Sequence, residues 1–491
     1  MGKIVLFFPE THRDRRDDPW CLPPLSLLSI AAPLIQENYQ VKIIDARVDG
    51  DFLQDVLSEG RDAVCLGVSV LTGHQIKEAL LVSHEVKRRL PMLPVVWGGY
   101  HPTLLPEQTI ADPSVDIVVK GQGEITFKML VEALSGGKSL RGINGLLFKE
   151  DGEVVTNPDR RFVDVNQFAP LPYSLIPMES HFPDLEFGRR TIGYVSSQGC
   201  PHGCEFCAES TAYNRRWSGL SPQRVGQDLE RLIRQYDADG VIFVDNNFFV
   251  DEERVQGICS EIIQRGLKFN WGAQGRADRI TGLSAHTFAL LKGSGFTVFH
   301  VGAESGSDRQ LEQVEKAMDR QTTLACARVC KDHGIRVSFG FIFGFPHETE
   351  SDIQDNFSLM EAVTDIQGEY DCIIHFYAPA PRTKLFEVSV GLGANNPLHL
   401  VDWSHYNTVR GITPWVNSRY IDKIRRRNDY FYPFARPSKV FRERVGRHSH
   451  GKLFFSLLHL INKMRCRFAF YAFPLDWWIY KQYTHIRRAM S

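Results

Sequence analysis

The chain has 491 residues, with 57 Lys+Arg against 58 Asp+Glu and 43% hydrophobic content. This is the profile of a folded globular protein and excludes extended disorder or collagen-like repeats; at about 100–200 residues per domain it implies two or three domains. A net charge of -1 argues against nucleic acid or an anionic membrane as partner, provided the charge is evenly spread.

Residues 1–145 alternate short apolar runs with amphipathic stretches. Strands are expected at 3–8, 41–45, 63–70, 94–97 and 115–119, and helices at 25–37, 75–90 and 126–134. Continuous Val/Ile/Leu runs of this kind belong to buried parallel strands. The expected first domain is therefore Rossmann-like (flavodoxin-like), with its ligand site beyond the strand C-termini. Residues 146–190, rich in Pro, Asp and Asn, read as a linker with a small hairpin. A second βα series spans 191–381, with strands expected at 192–197, 240–245, 269–274, 298–302, 336–343 and 372–377. Six such units suggest a partial (β/α)6 barrel whose chemistry sits at the strand C-terminal ends. Residues 382–491 lose that rhythm and form a mainly helical extension.

The N-terminal MGKIVLFFPE lacks the apolar core and cleavage site of a signal peptide, and no run of about 18 apolar residues occurs, so a cytoplasmic location is expected. In a reducing compartment, 10 Cys are not expected to build a disulfide framework. Cys200, Cys204 and Cys207 stand in the spacing C-x3-C-x2-C directly after the first strand of the second series. Three thiolates on one short loop can hold three irons of a 4Fe-4S cluster and leave the fourth open to a substrate. A structural zinc site completed by His202, or three unrelated core cysteines, are the alternatives; closed zinc sites usually pair their ligands, and no second pair is visible. Cys326 and Cys330, four apart on an expected helix, read as core packing, while Cys21, Cys65, Cys259, Cys372 and Cys466 have no partner by spacing.

The Cys loop at the end of a first barrel strand resembles that of radical S-adenosylmethionine (SAM) enzymes, and the resemblance covers about residues 191–381. It implies that the open iron chelates SAM and that one electron cleaves the sulfonium to give a 5'-deoxyadenosyl radical. On the same resemblance Phe206 packs beside the adenine, and Asp245, Asn246 and Asn247 present polar groups to the SAM amino group. Arg276 and Glu304 contact carboxylate and ribose, and Gly340 and Gly344, in GFIFGFPHE, lie beside the adenine.

Three further motifs meet at one edge of the first sheet: Asp45-Ala-Arg47-Val-Asp-Gly50, Ser69-Val-Leu71 and Gly98-Gly99. Together they resemble the D-x-H-x-x-G, S-x-L and G-G pattern of cobalamin-binding domains. Arg47 stands where classical members carry a cobalt-ligating His; a guanidinium stays protonated and cannot ligate a metal. The resemblance thus implies cobalamin without a protein His ligand from this position, with Ser69 and Leu71 lining the slot for its nucleotide tail. His101 is a weaker candidate, expected to be solvated.

The pairing of the two cofactors implies methylation of an unactivated carbon in a small-molecule or lipid-like substrate, supported by an electron donor such as flavodoxin or ferredoxin. An oxidative cyclase of the anaerobic Mg-protoporphyrin monomethyl ester type is the alternative, and a cobalamin- or redox-sensing protein the non-enzymatic one. From Arg419 onward 17 Lys+Arg face four Asp+Glu, a local excess of +13 that the net charge of -1 conceals. Basic residues interleaved with Phe, Trp and Tyr suit peripheral contact with the inner face of a membrane through residues 419–491; a helical cap on the barrel is the alternative, and nucleic acid is not expected.

Overall fold

The computed structural model describes residues 2–11, 21–185, 187–368, 370–406, 413–416, 418–435, 449–467 and 475–479. Much of the basic, aromatic tail (436–448, 468–474, 480–491) and the Cys466 side chain lie outside the described residues.

The first sheet contains β1 (Lys3–Phe8), β2 (Gln40–Asp45), β3 (Ala63–Ser69), β4 (Val95–Gly98), β5 (Ile117–Val119), β6 (Leu146–Glu150) and β7 (Glu153–Thr156), in the order β2-β1-β3-β4-β5-β6-β7. Its first five strands run parallel. The sequence KIVLFF shows why β1 lies centrally: Ile4, Leu6 and Phe8 enter one apolar layer and Val5 and Phe7 the other, so both faces are covered. The hairpin expected in the linker is present as β6 and β7. It is hydrogen-bonded antiparallel to β5, with Val119 opposite Leu146, so the first sheet continues to Thr156.

The second sheet is all-parallel: β8 (Thr191–Tyr194), β11 (Gly240–Phe243), β12 (Asn270–Gly275), β13 (Phe296–Glu304), β14 (Arg336–Phe343) and β15 (Asp371–Phe376), in that order, with β8 and β15 as its two edges. This is an open six-stranded barrel. Its outer helices start at side-chain caps, among them Ser221, Asp251, Ser284 and the capping box of Thr349 with Asp352. A two-stranded ribbon, β9 (Ser197–Gly199) with β10 (Trp217–Gly219), frames the Cys loop.

The post-barrel extension first returns to the other domain. Leu400 and Trp403 join the apolar layer over β1 and β3, and Trp403 Nε1 donates to Gln108 Oε1 at 2.7 Å. Among the described residues no helix is long and apolar enough to cross a membrane.

Candidate site at the domain seam

Gly199 leads into the Cys loop at φ +82, and a Cβ there would lie 2.1 Å from the Arg216 carbonyl oxygen, so the β9–β10 ribbon that grips the loop tolerates glycine alone. Cys207 precedes the helix Ala208–Ala212; its amide donates to the Cys204 carbonyl at 3.1 Å, and Ser210 Oγ donates to the Cys207 carbonyl at 2.8 Å. These bonds fold residues 204–210 into one rigid turn. None of the three thiols is in a disulfide, and Cys204 is buried. Burial pushes the Cys207 thiol up to about 11, a cost that coordination removes because a metal-bound thiol is deprotonated outright. Among the described residues no three His, Cys, Asp or Glu side chains converge as one metal ion requires. A cluster makes a different demand, since each thiolate takes its own iron.

Arg276, at the end of β12, reaches this loop. Its Nη1 lies 3.7 Å from Cys204 Sγ, Nη2 donates to the Lys316 carbonyl at 2.7 Å, and Nε donates to Asp278 at 3.0 Å. Glu304 ends β13 at φ +61, a backbone region that non-glycine residues enter only when held there, and it pairs with Lys316 Nζ at 2.8 Å. Arg276, Glu304 and the Cys loop are thereby brought together through Lys316, a buried residue that no motif flagged.

Asp245, Asn246 and Asn247 have separate fates. The buried Asp245 carboxylate accepts from the Ser196 amide and hydroxyl at 2.7 Å each and from Ser197 Oγ at 2.6 Å, so it is fully occupied in holding the backbone ahead of the Cys loop. Asn246 donates to Tyr100 OH at 3.3 Å. Asn247 is buried with both amide atoms lacking a hydrogen-bond partner, and an orphaned polar pair of this kind is what a ligand with its own donors and acceptors satisfies.

Phe206 packs edge-on against Phe345 at 5.5 Å, beside Val314, Tyr377, Leu385 and Trp415. Gly340 lies mid-strand, and Gly344 follows β14 with its carbonyl accepting from Trp415 Nε1 at 3.1 Å. The Gly344 amide in turn donates to Glu348 Oε2 at 2.8 Å. Burial raises Glu348 to about 8, and its other oxygen has no partner.

A cavity of about 450 Å³ opens between the domains. From the first sheet it is lined by Phe8, Ser69, Leu71, Gly98, Gly99 and Glu124, and from the barrel side by Ser197, Gln198, Gly199, Glu209, Tyr213 and Asn246. Its floor lies between β1 and β3, where the strand order reverses and open α/β sheets place their ligands. Gly99 takes φ +102, and a Cβ there would lie 2.8 Å from the Val70 carbonyl oxygen, so this edge stays open only with glycine. Ser69 Oγ and Ser26 Oγ form a 2.8 Å hydrogen bond in the wall.

Not every residue of the first motif reaches the cavity. Arg47 donates to both Asp45 oxygens, at 2.9 and 2.6 Å, and to the Leu22 carbonyl at 2.7 Å, and lies 4.5 Å above the Phe8 ring. The pair therefore braces the wall formed by Phe8 and Leu22 from behind. Gly50 is exposed, with nothing within 4 Å of an added Cβ. His101 is not solvated: it is fully buried against Trp403 at 5.9 Å, and burial lowers it to about 3. The cover comes from the post-barrel segment, which local sequence around His101 does not reveal.

Two carboxylates at the seam were missed by sequence. Glu124 Oε1 accepts from Ser29 Oγ at 2.7 Å and from Gln198 Nε2 at 2.8 Å, while Gln122 Nε2 donates to Gln198 Oε1 at 2.9 Å. Gln198, two residues before Cys200, is thus clamped by the first domain. Glu209 accepts from Tyr100 OH across the same seam, and burial raises the pKa of both groups. Glu124 Oε2 and Glu209 Oε1 are buried without partners. The available local signals were a glycine-rich stretch, KGQGE, which Glu124 ends, and the Cys loop, which Glu209 follows by two residues.

The Radical SAM superfamily profile matches residues 194–360, and the B12 binding domain profile matches residues 19–131. An uncharacterised methyltransferase of Pyrococcus horikoshii is 31% identical over 449 residues, covering 90% of this chain and 94% of that protein. The anaerobic magnesium-protoporphyrin IX monomethyl ester cyclase of Synechocystis is 26% identical over 64% of this chain and 63% of that protein. In fold, the chain is similar to the radical SAM methyltransferase TsrM of Kitasatospora setae, solved with tryptophan and a SAM analogue, at TM-score 0.66 and 18% identity, over 84% of this chain and 87% of that one.

Proposed function

Because the chain belongs to the cobalamin-dependent branch of the radical SAM superfamily, we propose that it methylates an unactivated carbon of a small-molecule or lipid-like substrate. The observation that carries this reading is a cavity lined both by the glycine edge of the first sheet and by Gly199 at the head of the Cys loop. When bound, the cluster with SAM supplies a carbon-centred radical, and the corrin supplies a transferable methyl group.

In this reading residues 1–145 carry the corrin and residues 191–381 the radical chemistry. Cys200, Cys204 and Cys207 ligate the cluster, and the Arg276 guanidinium beside Cys204 offsets thiolate charge. Asn247 and Glu304 face SAM, Phe206 and the Gly340–Gly344 strand end flank its adenine, and Asp245 positions the loop. Ser69, Gly98 and Gly99 cradle the corrin tail, and Leu71 borders it. Asp45 and Arg47 buttress that wall, and the Arg47 guanidinium could not itself ligate a metal. The aromatic group of Phe206, Phe345, Tyr377 and Trp415 keeps water from one side of the barrel mouth. The electron is delivered by a flavodoxin or ferredoxin, and the tail places the chain at the inner face of a membrane.

Incubating the reconstituted chain with reductant, a metabolite and lipid extract, and SAM deuterated in its methyl group tests the reaction. Methyl transfer places the label in a product. A new product formed without label, by loss of hydrogens, would favour the cyclase instead and overturn this reading.

A further inference from the structure

The helix Ser449–Arg467 has two unlike sides. Leu458 is buried with Tyr430, Phe431, Phe434 and Ala435, Asn462 is buried as well, and Arg465 pairs with Asp476 at 3.0 Å. On the other side Leu457, Leu460 and Met464 are 54, 57 and 55% exposed. Spacings of three, four and seven put these three side chains in one stripe along the helix.

The helical turn at residues 475–479 repeats the arrangement. Asp476 and Trp477 point into the small core, whereas Leu475, Trp478 and Ile479, at i, i+3 and i+4, are 73, 57 and 52% exposed. Six large apolar side chains in two outward stripes exceed the scattered exposure usual for a water-facing surface.

Charge identifies what covers them. The stretch from Arg419 carries 17 Lys+Arg against four Asp+Glu. Arg465 and Asp476 cancel each other and leave the excess of +13 unchanged, and exposed Lys463 borders the apolar stripe on its own helix. A second protein surface would need to be both apolar and strongly acidic, whereas an anionic bilayer offers acyl chains beneath a layer of phosphates. No described helix is long and apolar enough to cross a membrane.

We propose that Leu457, Leu460 and Met464, together with Leu475, Trp478 and Ile479, seat in the headgroup–acyl boundary of an anionic bilayer, with Lys463 meeting lipid phosphates and the basic excess of the stretch drawing it to the anionic surface. This rests on the reading of residues 419–491 as a membrane contact and specifies which side chains make it.

Flotation of the full-length protein with vesicles of phosphatidylcholine and phosphatidylglycerol, and with phosphatidylcholine alone, tests the assignment. The full chain is expected to float with the mixed vesicles, roughly tenfold less with neutral ones, and less as salt rises. Leu457→Glu, Leu460→Glu and Met464→Glu together change only exposed positions; they are expected to lower partitioning by roughly tenfold or more while the circular dichroism is kept. If the triple variant floats as well as the parent, the stripe of Leu457, Leu460 and Met464 makes no contact and the proposed seating is overturned. If the parent floats with neither vesicle, the membrane reading itself is overturned. A parent that instead sediments as a dimer, with the triple variant monomeric, would assign the face to a second copy and also overturn the proposal.

Discussion

Replacing Glu124 by Ala removes an acceptor shared by two domains. Glu124 is 4% exposed, and its Oε1 receives Ser29 Oγ at 2.7 Å and Gln198 Nε2 at 2.8 Å. Hydrogen bonds to a charged-type acceptor contribute roughly 1.5–3 kcal/mol each, so loss of both is expected to cost about 3–6 kcal/mol. Gln198→Ala removes one of the two and also takes away one of two acceptors of Gln122 Nε2, which lies 2.9 Å from Gln198 Oε1 and keeps the Val163 carbonyl at 3.0 Å. The two substitutions remove the same bond, so their effects cannot add. A double-mutant cycle by urea unfolding, followed through tryptophan fluorescence, is expected to give a coupling of about 1–2 kcal/mol. Additivity within about 0.5 kcal/mol would show that the seam bond does not hold the domains together, and would refute the reasoning.

Gly99→Ala forces a side chain to φ +102 and within 2.8 Å of the Val70 carbonyl oxygen; a loss of about 2–4 kcal/mol and of corrin affinity is expected, measurable by thermal shift and by titration with cobalamin, and parental behaviour would contradict the cradle. His101 is lowered from 6.5 to about 3 by burial, so the unfolded chain takes up a proton below about 6.5 that the folded chain refuses. Stability therefore falls as pH drops from 6.5 toward 3, by about 3 kcal/mol at about pH 4.5, and His101→Gln is expected to flatten that part of the urea-midpoint profile. Cys204→Ala is expected to abolish iron loading while corrin absorbance after reconstitution is unchanged; loss of both would mean that the two sites are not separable.

The main parallel strands and the Cys loop were legible because each depends on a short stretch of chain. KIVLFF is apolar on both faces and could only be a central strand, and its limits coincide with the expected ones. The end of β8 was less legible. A strand over 192–197 was expected, yet the ladder stops at Tyr194 because Asp245 captures the Ser196 amide and both serine hydroxyls. The pairing of β6 with β5, the Trp403 cover over His101 and the Lys316 link between Glu304 and Arg276 are long-range contacts with no local pattern. In the tail, charge was readable by counting, but which leucines face outward was not: adjacent Leu457 and Leu458 have opposite fates, decided by the cluster of Tyr430, Phe431 and Phe434.

The central claim is that one chain loads a cluster on Cys200, Cys204 and Cys207 and uses it on SAM beside a corrin. Anaerobic reconstitution with iron, sulfide and cobalamin, followed by SAM and reductant, measures it through 5'-deoxyadenosine. The account predicts that this nucleoside forms in the parent and not in Cys204→Ala. Its absence from a parent preparation whose 4Fe-4S cluster is demonstrated by Mössbauer spectroscopy would contradict the account.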